Sequence, residues 1–354
     1  MNAEFVLGMP VLDRAIPQFM KFNFKKSIKL IAMILVLFCL FSFFEIYIPK
    51  SKDISPVIVY TAKKGMGDED IARDLEQQGI IKNNWFFRLY VVILGNHSKL
   101  QAGSYNLSSS MSIADIVKKF ILGDVIKENI IIIEGWDIQD IGKYLESKSF
   151  CSQEYFLSLT KNDWSQNFDI LKDKPKNLNL EGYIFPDTYQ VYLGQTPEEL
   201  LKNILNNLSK KLTPELRNEI VSQKKSVFEI ITMASILEKE VKTTEDKKIV
   251  SGILWKRLVN DMSLQIDSTI NYITNKSEAR VAIKDTKIDS PYNTYKYQGL
   301  PLGPISNPGI DSILAAIYPI ESPYWYYLSA STTGKTIFSK TLLEHNQAVA
   351  KYLK

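Results

Sequence analysis

The first 50 residues carry an apolar pattern that the remainder of the chain lacks. From Leu30 to Phe44 every residue is uncharged (LIAMILVLFCLFSFF), and apolar residues continue to Ile48. About 20 such residues cross the hydrocarbon core of a bilayer, and single charges at the two ends of a span can reach the interfaces. Lysines cluster just before the run, which predicts a cytoplasmic N-terminus. We therefore predict a transmembrane helix over residues 24–48, preceded by a cytoplasmic leader of residues 1–23.

A cleaved signal peptide is the alternative interpretation of the same run. The long leader before the run argues against cleavage, and so does the sequence FFEIYIPK after it, which contains no small-x-small site. We expect an uncleaved, single-pass anchor in the cytoplasmic (inner) membrane. Residues from about 50 onward would then be periplasmic or otherwise extracytoplasmic.

The exported part begins with short amphipathic segments separated by polar turns. Helical periodicity appears near residues 71–75, 113–120 and 138–145, and strand-like runs cover residues 57–60 and 130–133. This pattern predicts a small module of strands and helices over residues 52–125. A second domain, mixed in secondary structure and richer in helix, would follow over residues 126–354, and the overall class is α+β.

Helix starts are well marked in the second domain. Thr196 and Thr213 each precede a proline and acidic residues, which is typical of a capped first turn. Ser226 with Glu229 forms a capping-box pattern and opens a further helix. Residues 285–310, rich in Pro, Gly, Asn and Tyr, predict an ordered loop, and a helix is expected from Gly309 to Tyr318.

The helix that opens at Ser226 carries the candidate chemistry. On a helical wheel Glu238 falls within the apolar stripe, whereas Glu240 falls near Glu229 on the polar side. A carboxyl group in an apolar setting has a raised pKa and can act as a general acid, as glycosidase acids do. The alternative is a buried glutamate paired with Lys or Arg, which is the commoner arrangement. The wheel predicts a catalytic Glu238 and a Glu240 that points to water.

Composition narrows the possible chemistry further. The net charge is +4 with the excess in the first 50 residues, so the body lacks the positive charge of a nucleic-acid binder. Cys39, Cys151, His97 and His345 are too few and too scattered to predict a metal site or a thiol nucleophile. We expect no metal and no organic cofactor.

Several sequence blocks resemble a known family in their order along the chain. Met233–Glu240 (MASILEKE) is followed by Leu264–Thr269 (LQIDST), and further blocks lie on both sides. These further blocks are Ala102–Tyr105, Glu134–Trp136, Leu180–Tyr189 (LEGYIFPDTY), Ser290–Tyr295 (SPYNTY), Gly299–Gly309 (GLPLGPISNPG) and Phe338–Thr341 with Glu344–Asn346. Together they resemble the endolytic murein transglycosylases, the MltG or YceG-like family.

The resemblance implies a membrane-anchored enzyme with a LysM-like module and a mixed α/β catalytic domain. Such enzymes cleave the β-1,4 bond between N-acetylmuramic acid and N-acetylglucosamine in nascent peptidoglycan without water. They leave 1,6-anhydro ends, help to terminate strand elongation and contact cell-wall synthases. Glu238 matches the catalytic position by this resemblance, acting first as acid and then as base. No cofactor is implied.

The resemblance also suggests substrate contacts beyond the glutamate. Gln265, Asp267 and Thr269 alternate as in an extended segment and could face one side. A solvated strand or turn is the alternative. The other candidates lie in the Pro- and Gly-rich loop, where a role in packing or capping is the alternative; they are Tyr292, Asn293, Thr294, Pro304 and Asn307.

Two other functions compete with transglycosylation. One is a membrane-anchored glycan-binding scaffold of cell-wall synthesis that cuts nothing, and the other is a muramidase-type hydrolase. From sequence alone, Glu238→Gln should abolish cleavage and Glu240→Gln should be milder.

Overall fold

The computed structural model describes residues 24–53, 55–97, 99–276, 281–330 and 334–353. The predicted cytoplasmic leader, residues 1–23, lies outside them. The described chain divides into two compact units, residues 1–126 and 127–354. Both combine helices with two-stranded antiparallel sheets, so the α+β class predicted from the sequence is confirmed.

The first unit begins with the apolar helix. Its segment Lys26–Tyr47 is long and apolar enough to cross a membrane, as an anchor or a signal sequence would be. A two-stranded sheet and three short helices follow it, in the order α1 (Phe24–Tyr47), β1 (Ile58–Ala62), α2 (Asp68–Gln77), α3 (Asn84–Ile93), β2 (Gly103–Leu107) and α4 (Ile113–Leu122).

A pair of tyrosines lies at the centre of the sheet of this unit. Tyr60 on β1 lies opposite Tyr105 on β2, and both rings pack against Phe120 of α4. All three side chains are fully buried. Helix α4 ends at Gly123, whose φ of 63° is a left-handed conformation that glycine adopts without steric cost. Two of the three predicted amphipathic helices lie in this unit, as α2 and α4. Helix α3 and strand β2 were not predicted from the sequence.

The second unit contains nine helices and four strands among the described residues. They are β3 (Lys127–Ile131), α5 (Ile138–Ser147), α6 (Gln153–Thr160), β4 (Thr188–Tyr192), α7 (Pro197–Lys211), α8 (Pro214–Ser222), α9 (Val227–Glu240), α10 (Thr244–Val259), α11 (Asp267–Thr274), α12 (Ile310–Ile317), β5 (Tyr326–Ser329), β6 (Thr336–Ser339) and α13 (Leu342–Tyr352). Strand β3 pairs with β4, and β5 pairs with β6.

Helix α9 forms the centre of this unit. It contacts α8, α10, α11 and α12, and every residue from Ile230 to Leu237 is buried, including Thr232 and Ser235. A helix that is buried all round belongs to a core rather than to a surface. Its last residue, Glu240, and the extended Val241 that follows bring the carboxyl end of the helix to the candidate site.

The predicted helix starts are confirmed at all three positions. Thr196, Thr213 and Ser226 each accept a hydrogen bond from a backbone amide of the first turn. The expected helix after the Pro- and Gly-rich loop is also present, as α12. Its N-cap is Gly309, and neither Ser306 nor Asn307 caps it.

Removal of the cap of α9 should destabilise the unit modestly. Ser226 Oγ accepts from Glu229 N at 3.1 Å, and Glu229 Oε2 accepts in return from Ser226 N at 2.8 Å. We expect Ser226→Ala to lower the free energy of unfolding by about 1 kcal/mol. Denaturant unfolding followed by tryptophan emission measures this change. Ser222→Ala, an exposed change at the end of α8, is the control and should leave stability within about 0.5 kcal/mol.

Candidate functional site

A cleft opens at the carboxyl end of α9. Its volume is about 770 Å³, within the range of small-molecule and sugar sites. The walls come from the end of α9, the start of α11, strand β5 and helix α13. Both polar and aromatic side chains reach it, among them Glu240, Gln265, Asp267, Tyr295, Tyr327 and His345.

Glu240 lies in this cleft and is withdrawn from bulk water. Tyr327 Oη donates to Glu240 Oε2 at 3.1 Å, and Ser329 Oγ donates to the backbone oxygen of Glu240 at 3.1 Å. Burial raises the pKa of the Glu240 carboxyl, and the charge of nearby Asp267 raises it further. The hydroxyl groups of Ser268 and Tyr327 offset part of this effect. Glu240 therefore has the environment of a general acid.

The sequence prediction that Glu240 points to water is wrong. The wheel places Glu240 on the same side as Glu229, but at the end of the helix that side is half-buried and faces the cleft. Strand β5 and the start of α11 supply the cover, since Tyr327 and Ser268 lie against the carboxyl group. A wheel separates interior from solvent only when one face of a helix is exposed, and α9 is buried on every side from Ile230 to Leu237.

Glu238 occupies a polar setting, not the apolar one expected from the wheel. Lys247 Nζ lies 3.1 Å from its Oε1 and 3.3 Å from its Oε2. Its Oε2 also accepts from Gly309 N at 3.0 Å and from Ser312 Oγ at 2.7 Å. The side chains of Lys247 and Glu238 are only 6% and 9% exposed. This is the buried ion pair that the sequence left open as the alternative.

The same contacts place Glu238 at the N-terminus of α12, where it accepts from the amide of the N-cap residue and from Ser312 Oγ. Gly309 is the N-cap of that helix and has no side chain to satisfy the first amides. A carboxylate at a helix N-terminus supplies both the acceptor and the complementary charge. Glu238 thereby ties the end of α9 to the start of α12 and, through Lys247, to α10.

Of the predicted substrate contacts, Gln265 and Asp267 line the cleft with the two glutamates. Tyr295 Oη donates to Asp267 Oδ1, and Gln265 adopts a left-handed φ of 54°. A left-handed backbone in a non-glycine residue is held by its surroundings and is common at functional sites. Here Thr294 holds it, because its backbone oxygen accepts from Gln265 N at 3.1 Å.

The expected extended register from Gln265 to Thr269 is wrong. The chain turns into α11 at Asp267, so Thr269 lies in the first turn of a helix. Its side chain is fully buried, and Oγ1 lies 2.7 Å from Ile266 O and 3.1 Å from Thr294 Oγ1. Thr269 therefore faces the interior, while Gln265 and Asp267 face the cleft.

The remaining predicted contacts do not line the cleft. Asn293 and Thr294 are buried, and the Asn293 carboxamide donates to Thr286 O and Ile288 O within its own loop. Tyr292 packs its ring 5.1 Å from that of Tyr272. These side chains shape the loop beside the site.

Pro304 and Asn307 lie deeper still. Pro304 packs on Gly182 so closely that a Cβ there would lie 2.6 Å from the Pro304 Cβ. Asn307 Nδ2 donates to Glu181 Oε1 at 2.9 Å, and its Oδ1 accepts from Ile184 N at 2.8 Å. Both residues therefore join the Gly299–Gly309 loop to the Leu180–Tyr189 segment.

Glu181 is a buried carboxyl group that should make stability depend on pH. It is 2% exposed, and burial raises its pKa to about 8, with Asp137 adding to the shift. In the unfolded chain the pKa returns to about 4.3. Between these values the folded state holds a proton that the unfolded state has released, so stability falls as pH rises.

We expect the free energy of unfolding to decrease from about pH 4 to pH 8, with a contribution from Glu181 of up to about 1.4 kcal/mol per pH unit. Unfolding titrations across this range measure it. Glu181→Gln should flatten the profile, and an unchanged slope in that variant would contradict the assignment.

Several side chains around the cleft could not be identified from the sequence. Lys247 gave no signal because its partner is nine positions away and on another helix. Arg257 is 6% exposed and donates to Trp325 O and Leu264 O, which holds the aromatic segment before β5 against the site. His345 stacks on Tyr326 at 5.3 Å, and burial followed by the charge of Arg257 lowers its pKa.

Within the part of the chain that the structure describes, no group of three or more His, Cys, Asp or Glu residues is arranged to hold a metal ion. The expectation that the protein needs no cofactor stays a prediction.

Comparison with known proteins identifies relatives of this chain. The chain is 32% identical over 320 residues to an endolytic murein transglycosylase of Bacillus subtilis, covering 86% of this chain and 87% of that protein. It is also 32% identical over 317 residues to an endolytic murein transglycosylase of Streptococcus pneumoniae, covering 82% of this chain and 57% of the relative.

A solved structure agrees with these sequence relatives. The crystal structure of a yceG-like protein from Listeria monocytogenes superposes with a TM-score of 0.57 at 33% identity, covering 83% of this chain and 99% of that one. The model of the YceG-like family matches residues 60–351, which include most of the small sheet of the first unit and all but one of the residues that line the cleft. The chain belongs to the YceG-like family.

Proposed function

We propose that the chain is an endolytic lytic transglycosylase that acts on the glycan strands of peptidoglycan. The observation that carries the proposal is a half-buried carboxyl group, Glu240, which lines a cleft of sugar-binding size and whose pKa is raised by desolvation. Family membership and relatives named endolytic murein transglycosylase support the same activity. The bond cleaved would join N-acetylmuramic acid to N-acetylglucosamine in nascent strands, helping to end their elongation.

Glu240 is the proposed acid and base. In its protonated form it donates to the glycosidic oxygen, so that the bond from C1 of the muramic residue to that oxygen breaks. The resulting carboxylate then accepts the proton of the muramic 6-hydroxyl, whose oxygen bonds to C1 and forms the 1,6-anhydro ring. No water is consumed, and the glutamate ends the cycle protonated. A raised pKa suits a group that must begin as an acid.

Glu238, the residue favoured by the sequence analysis, is the alternative acid. Its two oxygens accept from three donors, Lys247, Gly309 N and Ser312 Oγ. Glu238 lines the cleft as Glu240 does, but these three donors fix it at the junction of α9, α10 and α12. We propose instead that Glu238 positions Glu240 by fixing the end of α9 to α10 and α12.

Gln265 and Asp267 are the proposed sugar contacts. Both line the cleft, and their amide and carboxylate groups can bind sugar hydroxyls or acetamides. Tyr326 and Tyr327 line it as well, and their rings are suited to stack on sugar faces. Thr269, Tyr292, Asn293, Thr294, Pro304 and Asn307 would support these contacts from behind the cleft wall.

The location of the enzyme is also a proposal. Helix α1 would anchor the chain in the cytoplasmic membrane with its N-terminus in the cytoplasm and both units outside. Units 52–125 and 126–354 would act as a LysM-like module and a catalytic domain, as the family resemblance implies. Such a position brings the cleft to nascent strands and to cell-wall synthases.

Incubation of the full chain in detergent with uncrosslinked glycan strands tests the proposal. Shorter soluble fragments are expected. A folded protein that binds strands but leaves their length unchanged would favour the glycan-binding scaffold. Strands polymerised in the presence of the anchored chain should be used as a second substrate, because a nascent strand is the proposed target.

A further inference from the structure

The second unit opens with an arrangement of strands and helices that is already present in the first. In the first unit β1, α2, α3 and β2 follow one another, and β1 pairs antiparallel with β2. In the second unit β3, α5, α6 and β4 follow in the same order, and β3 pairs antiparallel with β4. Residues 161–187 take the place of the shorter connection formed by residues 94–102. These two sets of elements are the first and the second βααβ motif.

The two motifs also share individual backbone hydrogen bonds, displaced by 70 residues. Gly65 and Gly135 both adopt a left-handed φ, of 92° and 79°, in the turn before the first helix of each motif. Only five residues are identical between segments 60–80 and 130–150, so the repeat is far clearer in the structure than in the sequence. The matched amide-to-carbonyl bonds, all between 2.8 and 3.3 Å, are Met66–Lys63 and Trp136–Ile133, Ile71–Gly67 and Ile141–Asp137, Gln78–Asp74 and Lys148–Tyr144, Gly79–Glu76 and Ser149–Glu146, and Ile80–Leu75 and Phe150–Leu145.

The return strand of each motif carries a buried tyrosine in the same role. Tyr105 and Tyr189 each lie opposite a buried residue of the first strand of their motif. Each hydroxyl group donates at 2.6 Å to the carbonyl oxygen four residues earlier, which belongs to Gln101 and to Phe185 respectively. The second βααβ motif is therefore a repeat of the first in both topology and detail.

The turn before the first helix has different surroundings in the two motifs. In the first motif it is open, since a Cβ added at Gly65 would have no atom of the described residues within 4 Å. In the second motif it packs on the end of α9. Lys239 Nζ donates to Gly135 O at 3.2 Å, and a Cβ at Gly135 would lie 3.6 Å from Glu238 Cγ. Because Lys239 also lines the cleft, the second motif borders the cleft at this turn.

An apolar surface begins at the same turn. Trp136 is half-buried, and its ring centre lies 5.3 Å from that of Tyr144. Tyr144 Oη accepts from Ile131 N at 3.1 Å, and Ile131 and Ile133 are 49% and 51% exposed. An aromatic ring with exposed apolar neighbours suits the apolar face of a sugar ring.

We propose that the second βααβ motif binds the glycan strand where it leaves the cleft, with Trp136 and Ile133 in contact with a sugar beyond those bound by Gln265 and Asp267. The proposal rests on the proposed endolytic activity. An enzyme that cuts within a strand has sugars on both sides of the bond, and the strand must therefore continue over a surface next to the cleft. The turn at Gly135 supplies that continuity, because Lys239 belongs to its contacts and to the cleft wall.

Dependence of the kinetics on strand length tests the proposal. The full chain in detergent is given either an uncrosslinked tetrasaccharide or long uncrosslinked strands. We expect Trp136→Ala to raise KM for long strands by roughly 2- to 10-fold at unchanged kcat, and to leave both constants for the tetrasaccharide unchanged. Tyr318→Ala removes an aromatic side chain that is 45% exposed at the end of α12, and as the control it should change neither substrate's constants.

Ile133→Asn is the second variant on the same surface, should Trp136→Ala fold poorly, and it should raise KM for long strands in the same way. An equal loss on both substrates would show that these side chains support the fold, and it would overturn the proposal. So would an unchanged KM for long strands in both variants. A wild-type chain that binds but cuts neither substrate would contradict the endolytic activity itself, which separates the two failures.

Discussion

Glu240→Gln should lower the rate of glycan cleavage by at least about 100-fold, since general acid catalysis contributes about 10²–10⁴-fold. The amide has the shape of the acid but cannot donate the required proton or accept it afterwards. Folding should be unaffected, because burial already favours the neutral form of this group and Tyr327 can still donate to the amide oxygen. Fragment release per unit time, with the thermal midpoint measured in parallel, checks both expectations.

Glu238→Gln is the matched control on the same helix. If Glu238 has a positioning role, its loss should lower stability together with activity, and the remaining activity should keep the pH dependence of Glu240. Loss of all cleavage at unchanged stability in Glu238→Gln, with Glu240→Gln still active, would contradict the assignment and restore Glu238 as the acid. Glu238→Asp keeps the charge that pairs with Lys247. If Glu238 acts by positioning Glu240, this variant should retain more activity than Glu238→Gln.

Lys247→Met should destabilise the second unit by about 3–5 kcal/mol, because it leaves the carboxylate of Glu238 buried without its partner. Methionine keeps the length and the apolar stem of lysine, so the change is chiefly one of charge. Denaturant unfolding followed by tryptophan emission measures it, since four of the five tryptophans lie in this unit.

The double variant Lys247→Met with Glu238→Gln completes a thermodynamic cycle. Removing both charges together should recover most of the stability lost in Lys247→Met, because no unpaired charge then remains buried. Additive losses in the double variant would show that the two side chains do not interact energetically. Such a result would contradict a structural role for the pair of Glu238 and Lys247.

The sequence predicted the elements whose signals are local. Thr196, Thr213 and Ser226 cap the helices they were expected to cap, since the cap is a property of four consecutive residues. Helix α3 was not predicted, because nearly all of its residues are apolar and no polar face marks a helical period. It lies between the core of the first unit and the apolar helix α1.

The site itself could be predicted only in part. The MASILEKE segment directed attention to α9 and its two glutamates, but the surroundings of the pair depend on contacts made across more than 60 residues, such as those of Glu238 with Gly309 and Ser312. A wheel contains no information about α12 or β5. The same limit applies to Asn307, whose carboxamide suggested a sugar contact and in fact holds Glu181.

The most direct test of the central claim is mass spectrometry of the ends produced when the full chain digests purified glycan strands, with the Glu240→Gln variant alongside. Internal fragments with 1,6-anhydromuramic ends that are absent with the variant are the predicted result. Reducing muramic ends would show that water is the acceptor and that the chain is a hydrolase. Anhydro ends formed equally by the variant would contradict the role of Glu240 as acid and base.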